Sequence, residues 1–223
     1  MTPSDVSVVI PAINEQDAIE RSIKSAFDAG ATDVIVSDGG STDRTRDLAM
    51  ELGVPKVVRS LPGRGIQMNS GALLAERSFI LFLHADNILG DRCLEQICQH
   101  PDVIWGAFHQ RIDSQRFLYR TIEIGNACRV RWRRMAFGDQ AIYVRSDQFK
   151  QMGGFAEIPL MEDVDLSKRL RKIGRPRLLD GPVTINARRW EDNGILRQTL
   201  RNWSIQLAYF SGASPERLKR RYR

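Results

Sequence analysis

Short apolar runs alternate with helix-like stretches in the first half of the chain. Four runs have the length of buried strands: Val6–Ile10, Val34–Ser37, Lys56–Arg59 and Phe79–Leu83. After the first run, apolar residues recur every four positions until Gly30, which stands where helices commonly end. This alternation is typical of βαβ units, whose parallel strands join one sheet.

The second half is less regular. It contains two strand-like segments, a basic stretch and a short helix: Gly106–Ile112, Gln140–Val144, Arg116–Arg134 and Ser146–Met152. Two later segments have apolar residues at helical spacing, one ending at Gly174 and one covering Leu196–Phe210. We predict an α/β fold with a Rossmann-like, mostly parallel central sheet flanked by helices and followed by a C-terminal helical extension.

Charge is distributed unevenly over the 223 residues. The net charge is +6, but residues 1–110 hold 9 basic and 15 acidic side chains, whereas residues 111–223 hold 24 and 12. No linker or repeat separates these halves, so we expect one domain over 1–223, made of 1–110, 111–190 and a helical extension over 191–223. The basic half suits a phosphate-bearing substrate or an anionic membrane surface.

Cysteine usage and hydropathy limit the compartment. Three scattered cysteines, Cys93, Cys98 and Cys128, cannot form a disulfide framework, which favours a reducing compartment. The first residues lack the basic and apolar regions of a signal peptide, and no window approaches the length of a membrane span. We therefore expect a cytoplasmic protein whose membrane contact, if any, is peripheral and at the inner face.

Polar residues follow three of the predicted strands, at the sheet edge where open α/β folds bind ligands. The first group comprises Pro11 and Ala12 at the end of the strand and the polar residues Asn14 and Glu15 after them. The second is Asp38 before two glycines, where a carboxylate can accept hydrogen bonds from a base or ribose. The third is His84, Ala85 and Asp86, where an acid can hold a divalent cation against phosphate oxygens. Ordinary turns and helix caps are the structural alternative for each group.

Acids and aromatic residues in the second half add further candidates. Glu162 and Asp163 begin a helix, and a carboxylate there could act as a general base or simply stabilise the first turn. Asp139 and Gln140 precede a strand and could line a binding site or form a turn. The pair Arg189-Trp190 could bind pyrophosphate and stack on a sugar, or only pack.

Taken together, these segments resemble the family 2 glycosyltransferases of GT-A type, in particular short bacterial members without a membrane span. The resemblance runs from Val6 to about Gly174. It rests on the Val8–Glu15 segment, the Asp38–Asp43 segment, the Gly63–Gly71 segment, the Asp86 position and the Glu162-Asp163 pair. The expected activity is sugar transfer, most naturally of a hexose, from a nucleotide-sugar donor to a hydroxyl acceptor that is a small molecule or lipid-linked.

The resemblance also implies roles for individual residues. Nucleotide contacts fall to Pro11, Ala12, Asn14, Glu15, Asp38, Arg64 and Ala85. Asp86 matches the last acid of the family's Asp-x-Asp metal motif, and His84 stands at the first acid, which leaves Mn²⁺ or Mg²⁺ open as the cation. Asp163 matches the general base of an inverting reaction, with Glu162 orienting or contacting the acceptor. In a fold of this family, Asp139 and Gln140 would contact the donor sugar or the acceptor. Residues 1–110 would then bind the donor, and residues 111–190 would face the acceptor. Asn186 to Trp190 is similar to the Gln-x-x-Arg-Trp motif of processive members, with asparagine replacing glutamine.

Other functions fit parts of the sequence. A sugar-nucleotide nucleotidyltransferase would share the first half, but it should have a basic, glycine-rich loop after the first strand. A non-catalytic binder could use the basic half on nucleic acid, although no nucleic-acid module is recognisable, or on anionic lipid. The helix Ile195–Phe210 and the basic tail Arg217–Arg223 could rest on an anionic membrane surface, or the helix could simply cover the domain. The oligomeric state stays open.

Overall fold

One sheet runs through both halves of the chain. The computed structural model describes residues 1–222, so Arg223 of the predicted basic tail lies outside the described residues. The strands of the sheet are β1 (Val6–Ala12), β2 (Asp33–Asp38), β3 (Lys56–Arg59), β4 (Phe79–Phe82), β5 (Ile88–Leu89), β6 (Trp105–Ile112), β7 (Tyr143–Arg145) and β8 (Arg177–Ile185). They lie in the order β3-β2-β1-β4-β7-β6-β8-β5.

The direction of the strands changes in the middle of the sheet. Strands β1 to β4 are mutually parallel, as the βαβ prediction required, whereas β7 pairs antiparallel to both β4 and β6. Strand β8 is parallel to β6 and antiparallel to β5. The sheet is therefore parallel in its first half and mixed in its second, and β4 lies at the boundary.

Helices cover both faces of the sheet. They are α1 (Ile19–Asp28), α2 (Thr45–Glu51), α3 (Arg64–Leu73), α4 (Cys93–Cys98), α5 (Phe117–Arg133), α6 (Ser146–Gln151), α7 (Glu162–Ile173), α8 (Arg188–Asn193), α9 (Ile195–Phe210) and α10 (Pro215–Tyr222). The last three form the predicted helical extension. Within residues 1–222, every helix is too short or too polar to traverse a bilayer.

Alternating side chains of the central strands enter two apolar cores. Val8 packs in the cluster that contains Ile23 of α1, and its neighbour Val9 packs in the cluster that contains Met68 of α3 and Leu166 of α7. Buried apolar residues on both faces explain why these strands read as continuous apolar runs. The second cluster fixes α3 and α7 on the same face.

Several segments differ from the sequence prediction, among them the basic stretch Arg116–Arg134, which contains helix α5. The strand predicted from Gln140 begins at Tyr143, because residues 138–140 form a 3₁₀ turn and Ala141 is left-handed, with a φ of 46°. Strand β8 escaped prediction because its apolar alternation is broken around Gly181-Pro182 and a proline cannot donate to the ladder.

Candidate active site

The loops after β1 and β2 hold each other through hydrogen bonds. Asn14 is left-handed, with a φ of 54°, and its Oδ1 accepts a hydrogen bond from the amide of Thr42 at 2.9 Å. Its own amide donates to Oγ of Ser41 at 2.9 Å. The buried carboxylate of Asp38 accepts from the amide and hydroxyl of Ser41. Asp38 and Asn14 therefore take part in the hydrogen bonds that hold the walls of the predicted nucleotide site in place.

The floor of this site is the end of β1. Gln67 on α3 donates from Nε2 to the carbonyl of Ala12 at 2.6 Å, and the amide of Gly39 donates to the same carbonyl at 2.9 Å. Pro11 and Ala12 are buried, and so is Ala85 after β4. These residues can offer a ligand little more than backbone atoms and shape.

Charged residues from four segments converge above the strand ends. Burial and the negative charge of Asp86 raise the pKa of Glu15, and the positive charges of Arg188, Arg189 and Arg64 oppose this shift. Asp86 is exposed directly after β4. The structure thus places Glu15, Asp86, Arg64 and Arg189 in one electrostatic neighbourhood.

His84 lies beneath this group, against the 138–140 turn. Burial, followed by the positive charges of Arg64 and Arg189, lowers the pKa of His84 well below its ordinary value, so the imidazole is neutral. Its Nε2 is buried and has no hydrogen-bond partner among residues 1–222. A Cβ on Gly138 would lie 2.6 Å from this nitrogen, so the absence of a side chain at 138 lets the ring approach the backbone.

The acids at the start of α7 lie at the same place. The Oδ2 atom of Asp163 accepts a hydrogen bond from the amide of Gly138 at 2.7 Å, and Oδ1 accepts from the amide of Val164 at 2.7 Å. Glu162 is buried, and its Oε1 lies 3.4 Å from Nη1 of Arg64. Burial and the charge of Asp163 raise the pKa of Glu162, and Arg64 opposes this.

The start of α3 reaches these acids because Gly65 carries no side chain. A Cβ there would lie 2.6 Å from the carbonyl oxygen of Ala156. Asn69 on the same helix exchanges two hydrogen bonds with the backbone of Phe155, at 2.9 and 2.8 Å. The Gly63–Gly71 segment therefore fixes the loop that leads to α7.

Arg129 supports the 138–140 turn from below. Its guanidinium lies 3.5 Å from the ring centroid of Phe137 and donates to Oε1 of Gln140 at 2.7 Å. Gln140 is fully buried, and burial raises the pKa of the neighbouring Asp139 against the opposing charge of Arg129. Asp139 and Gln140 thus lie in the wall behind Asp163, and Oε1 of Gln140 already accepts a hydrogen bond from Arg129.

The side chains of Arg189 and Trp190, at the start of α8, lie in different environments. Arg189 is exposed and close enough to His84 and Glu15 to influence both pKa values. Trp190 packs against the core instead, with its ring centroid 6.1 Å from that of Tyr119 in an edge-on arrangement. Trp190 is thus placed as a packing residue rather than as an open sugar platform.

Sequence reasoning missed Arg129, which it treated only as part of the basic stretch Arg116–Arg134. The structure shows α5 burying Tyr119, Ala127 and Val130 at helical spacing, and Arg129 extends from this helix beneath the turn. The spacing of those three residues could have revealed the helix. No sequence signal marks the arginine itself.

A divalent cation would find oxygen ligands at Asp86. Among residues 1–222, no three His, Cys, Asp or Glu side chains cluster as a ready-made metal cage. One or two carboxylates combined with substrate phosphates are, however, the usual ligands of Mg²⁺ at phosphate-transfer sites. Asp86 beside Glu15 fits that arrangement. The buried Nε2 of His84 is turned toward Gly138.

The family of this chain follows from a comparison with known sequences. Residues 7–156 match the family model for glycosyl transferase family 2, which covers more than half of the chain. The chain belongs to glycosyl transferase family 2. This family 2 glycosyltransferase is 44% identical over 64 residues to Glycosyltransferase AglJ of Haloferax volcanii, an alignment that covers 29% of this chain and 21% of AglJ.

Solved structures of glycosyltransferases share its GT-A fold. S. aureus TarS in complex with UDP-GlcNAc superimposes with a TM-score of 0.65 at 17% identity, over 83% of this chain and 58% of that one. The mannosyltransferase PcManGT from Pyrobaculum calidifontis, in complex with GDP-Man and Mn²⁺, gives 0.64 at 18% identity, over 82% and 58%. The glycosyltransferase described here therefore spans less than two thirds of these relatives' length.

The family match bears on the functions that the sequence left open. It places the chain among the glycosyl transferases of family 2 and so favours sugar transfer over the other two candidates. The matched segment ends at residue 156, so it includes the Asp38, Arg64 and Asp86 positions but stops before Glu162 and Asp163. The roles that the resemblance implies for the two α7 acids therefore stay predictions.

Proposed function

We propose that this glycosyltransferase is a metal-dependent, inverting enzyme that moves a sugar from a nucleoside-diphosphate donor to a hydroxyl acceptor. The observation that carries the proposal is the hydrogen bond between Asp163 and the amide of Gly138. It holds the first turn of α7 against His84, two residues before Asp86. The acid proposed for the acceptor and the acid proposed for the diphosphate therefore lie in segments that meet at Gly138 and His84.

The donor would occupy the strand ends with its nucleotide over Pro11 to Glu15 and the Asp38 loop. Arg64 and Arg189 supply positive charge where a diphosphate would lie, and both act electrostatically on His84. A neutral imidazole there packs beneath the donor without adding a charge. Fixed cations that already face the leaving group stabilise its developing charge without reorganisation.

Asp163 is suited to accept the proton of the acceptor hydroxyl. In the step we propose, the acceptor oxygen forms a bond to the anomeric carbon as the bond from that carbon to the diphosphate breaks. The hydroxyl proton passes to Asp163, and the nucleoside diphosphate leaves. Each carboxylate oxygen of Asp163 accepts one backbone hydrogen bond, so further lone-pair positions remain for the incoming proton.

Asp86, with Glu15 nearby, would hold Mn²⁺ or Mg²⁺ against the diphosphate. Such a cation supplies Lewis-acid stabilisation of the leaving group when bound. The other residues of the site act without it: Arg64 pairs with Glu162, and the neutral His84 supports Gly138. The exposed position of Asp86 after β4 allows a ligand to approach its carboxylate.

Nucleotide binding tests the proposal most directly. We expect UDP- or GDP-sugars to raise the thermal unfolding midpoint, more strongly with Mn²⁺ than without. A ligand at a hundred times its Kd adds about 2.7 kcal/mol to the free energy of unfolding. Asp86→Ala should remove the metal-dependent part of this shift. An unchanged midpoint with every nucleoside diphosphate and nucleotide sugar tried, with and without Mn²⁺, would refute the proposal.

A further inference from the structure

Helix α9 exposes a row of large apolar side chains. The row consists of Leu196, Leu200, Trp203, Leu207 and Phe210. Between 45% and 70% of each of these residues is exposed. Their spacing of four, three, four and three residues places them within an arc of about 80° on the helix surface. Gln198 and Ile205, on the opposite face, are buried. Contiguous apolar surface of this kind is a mark of an interaction site.

The surroundings of this row are strongly basic. Helix α9 contains Arg197 and Arg201 and no acidic residue. Helix α10 contains four cations and one acid: Arg217, Lys219, Arg220, Arg221 and Glu216. The buried side chain of Leu218 fastens α10 to the protein, and Nη2 of Arg201 donates to the carbonyl of Arg221 at 3.1 Å. The two helices therefore present apolar and cationic groups together.

The same helices adjoin the acids of α7. The Nζ atom of Lys168 on α7 lies 4.4 Å from the ring centroid of Tyr209 and 4.8 Å from that of Phe210. Burial, followed by the charges of Asp165 and Asp163, raises the pKa of Tyr209. The end of α9 is thus close to the first turn of α7. A groove lined by Pro159 and by Glu216, Lys219 and Arg220 of α10 lies beside the loop that leads to that turn.

We propose that α9 and α10 bind an anionic phospholipid surface. The apolar row of α9 would lie at the boundary between headgroups and acyl chains, as amphipathic helices do, with Trp203 at the headgroup level. The cations of α10 would lie against lipid phosphates, each adding about 1 kcal/mol to binding. Pairing with a second copy is less suitable, because a twofold interface would bring the same cationic flanks together.

Membrane binding would place the Asp163 side of the cleft next to the headgroup layer. Resting on the proposed function, this position favours an acceptor that is anchored in the membrane and carries a phosphate, rather than a freely diffusing sugar. The basic second half of the chain would then serve both the membrane and the acceptor. The inference about membrane binding itself does not require that any sugar is transferred.

Vesicle flotation tests the inference with the full chain. The probes are vesicles of phosphatidylcholine alone and vesicles containing about one third phosphatidylglycerol, at about 150 mM salt, where surface charges are screened beyond ~8 Å. We expect recovery with the anionic vesicles and little with the neutral ones. Leu207→Glu should reduce the recovered fraction at least about tenfold, which corresponds to ~1.4 kcal/mol. The matched control is Leu73→Glu, at the end of α3, where the leucine is 81% exposed; it should float like the parent protein.

Three outcomes would overturn the inference: no flotation, equal recovery with neutral and anionic vesicles, or equal losses in the two variants. The inference would also be overturned if, without vesicles, the parent protein were a dimer and the Leu207→Glu variant a monomer, because the row would then cover a second copy. Nucleotide binding is measured separately. A protein that binds UDP or GDP but does not float contradicts only the membrane inference, and the reverse result contradicts only the proposed function.

Discussion

Asparagine at position 163 keeps the shape of the side chain and removes its ability to accept a proton. General bases contribute about 10²–10⁴-fold to the rate, so Asp163→Asn should lower turnover by that factor, or ~3–5 kcal/mol of transition-state stabilisation. Donor binding should change little, because the nucleotide contacts that we propose lie outside α7, on the segments that follow β1, β2, β3 and β4.

The structure also predicts a stability cost for Asp163→Asn. Both carboxylate oxygens accept backbone hydrogen bonds, from Gly138 and Val164, at 2.7 Å each. An amide has one oxygen, so one of these two donors would face an NH₂ group. Leaving a buried donor unsatisfied costs about 1–3 kcal/mol, which denaturant unfolding resolves.

Asp165→Asn is the matched control on the same helical turn. Asp165 forms an i,i+4 salt bridge to Arg169 at 2.8 Å, and such pairs contribute about 0.3–0.5 kcal/mol. The assay is release of nucleoside diphosphate at saturating donor, with water as acceptor where none is known, together with calorimetric titration of the nucleotide. Normal turnover in Asp163→Asn, or equal losses in both variants, would refute the assignment of Asp163 as the base.

Three further changes test other parts of the structure. Asp86→Ala should weaken nucleotide binding at least about tenfold in Mn²⁺ but little in its absence, as calorimetry would show; equal weakening under both conditions contradicts a metal contact. The raised pKa of Glu162 means that the folded protein holds this proton more tightly, so its contribution to stability falls as the pH rises through and above 4.5. Glu162→Gln should flatten this decline in unfolding experiments from acid to neutral pH, and an unchanged slope contradicts the shift. Gly71→Ala places a Cβ 2.5 Å from Cγ1 of the buried Val9 and should destabilise by about 1–3 kcal/mol, whereas Gly125→Ala, with open space around it, should be neutral or stabilising by up to ~1 kcal/mol. Equal stabilities of the two glycine variants would contradict the packing described for α3.

Strands β1, β2 and β4 were predictable from sequence because they are buried on both faces. Val8 and Val9 point into different cores, so the run stays apolar throughout and marks β1 plainly. The α7 helix was equally plain, since Leu166 and Leu170 recur at helical spacing and acids fill its first turn.

The wall behind Asp163 was not predictable in the same way. It depends on a left-handed Ala141, on a 3₁₀ turn and on Arg129, whose basic neighbours in α5 are mostly exposed. These contacts join residues that are distant in sequence and leave no periodic signal. Trp190 illustrates the converse, because its motif suggested a ligand platform and its ring packs on Tyr119.

The hydrogen bond from Gly138 to Asp163 comes from a backbone amide, so side-chain substitutions cannot test it directly. A backbone donor survives every side-chain substitution, so alanine scanning would register position 138 as a steric lesion against His84 and not as a lost hydrogen bond. Replacing the amide by an ester through semisynthesis would remove the donor while leaving the space intact. That experiment would measure how much the backbone donor at position 138 contributes to the orientation of Asp163.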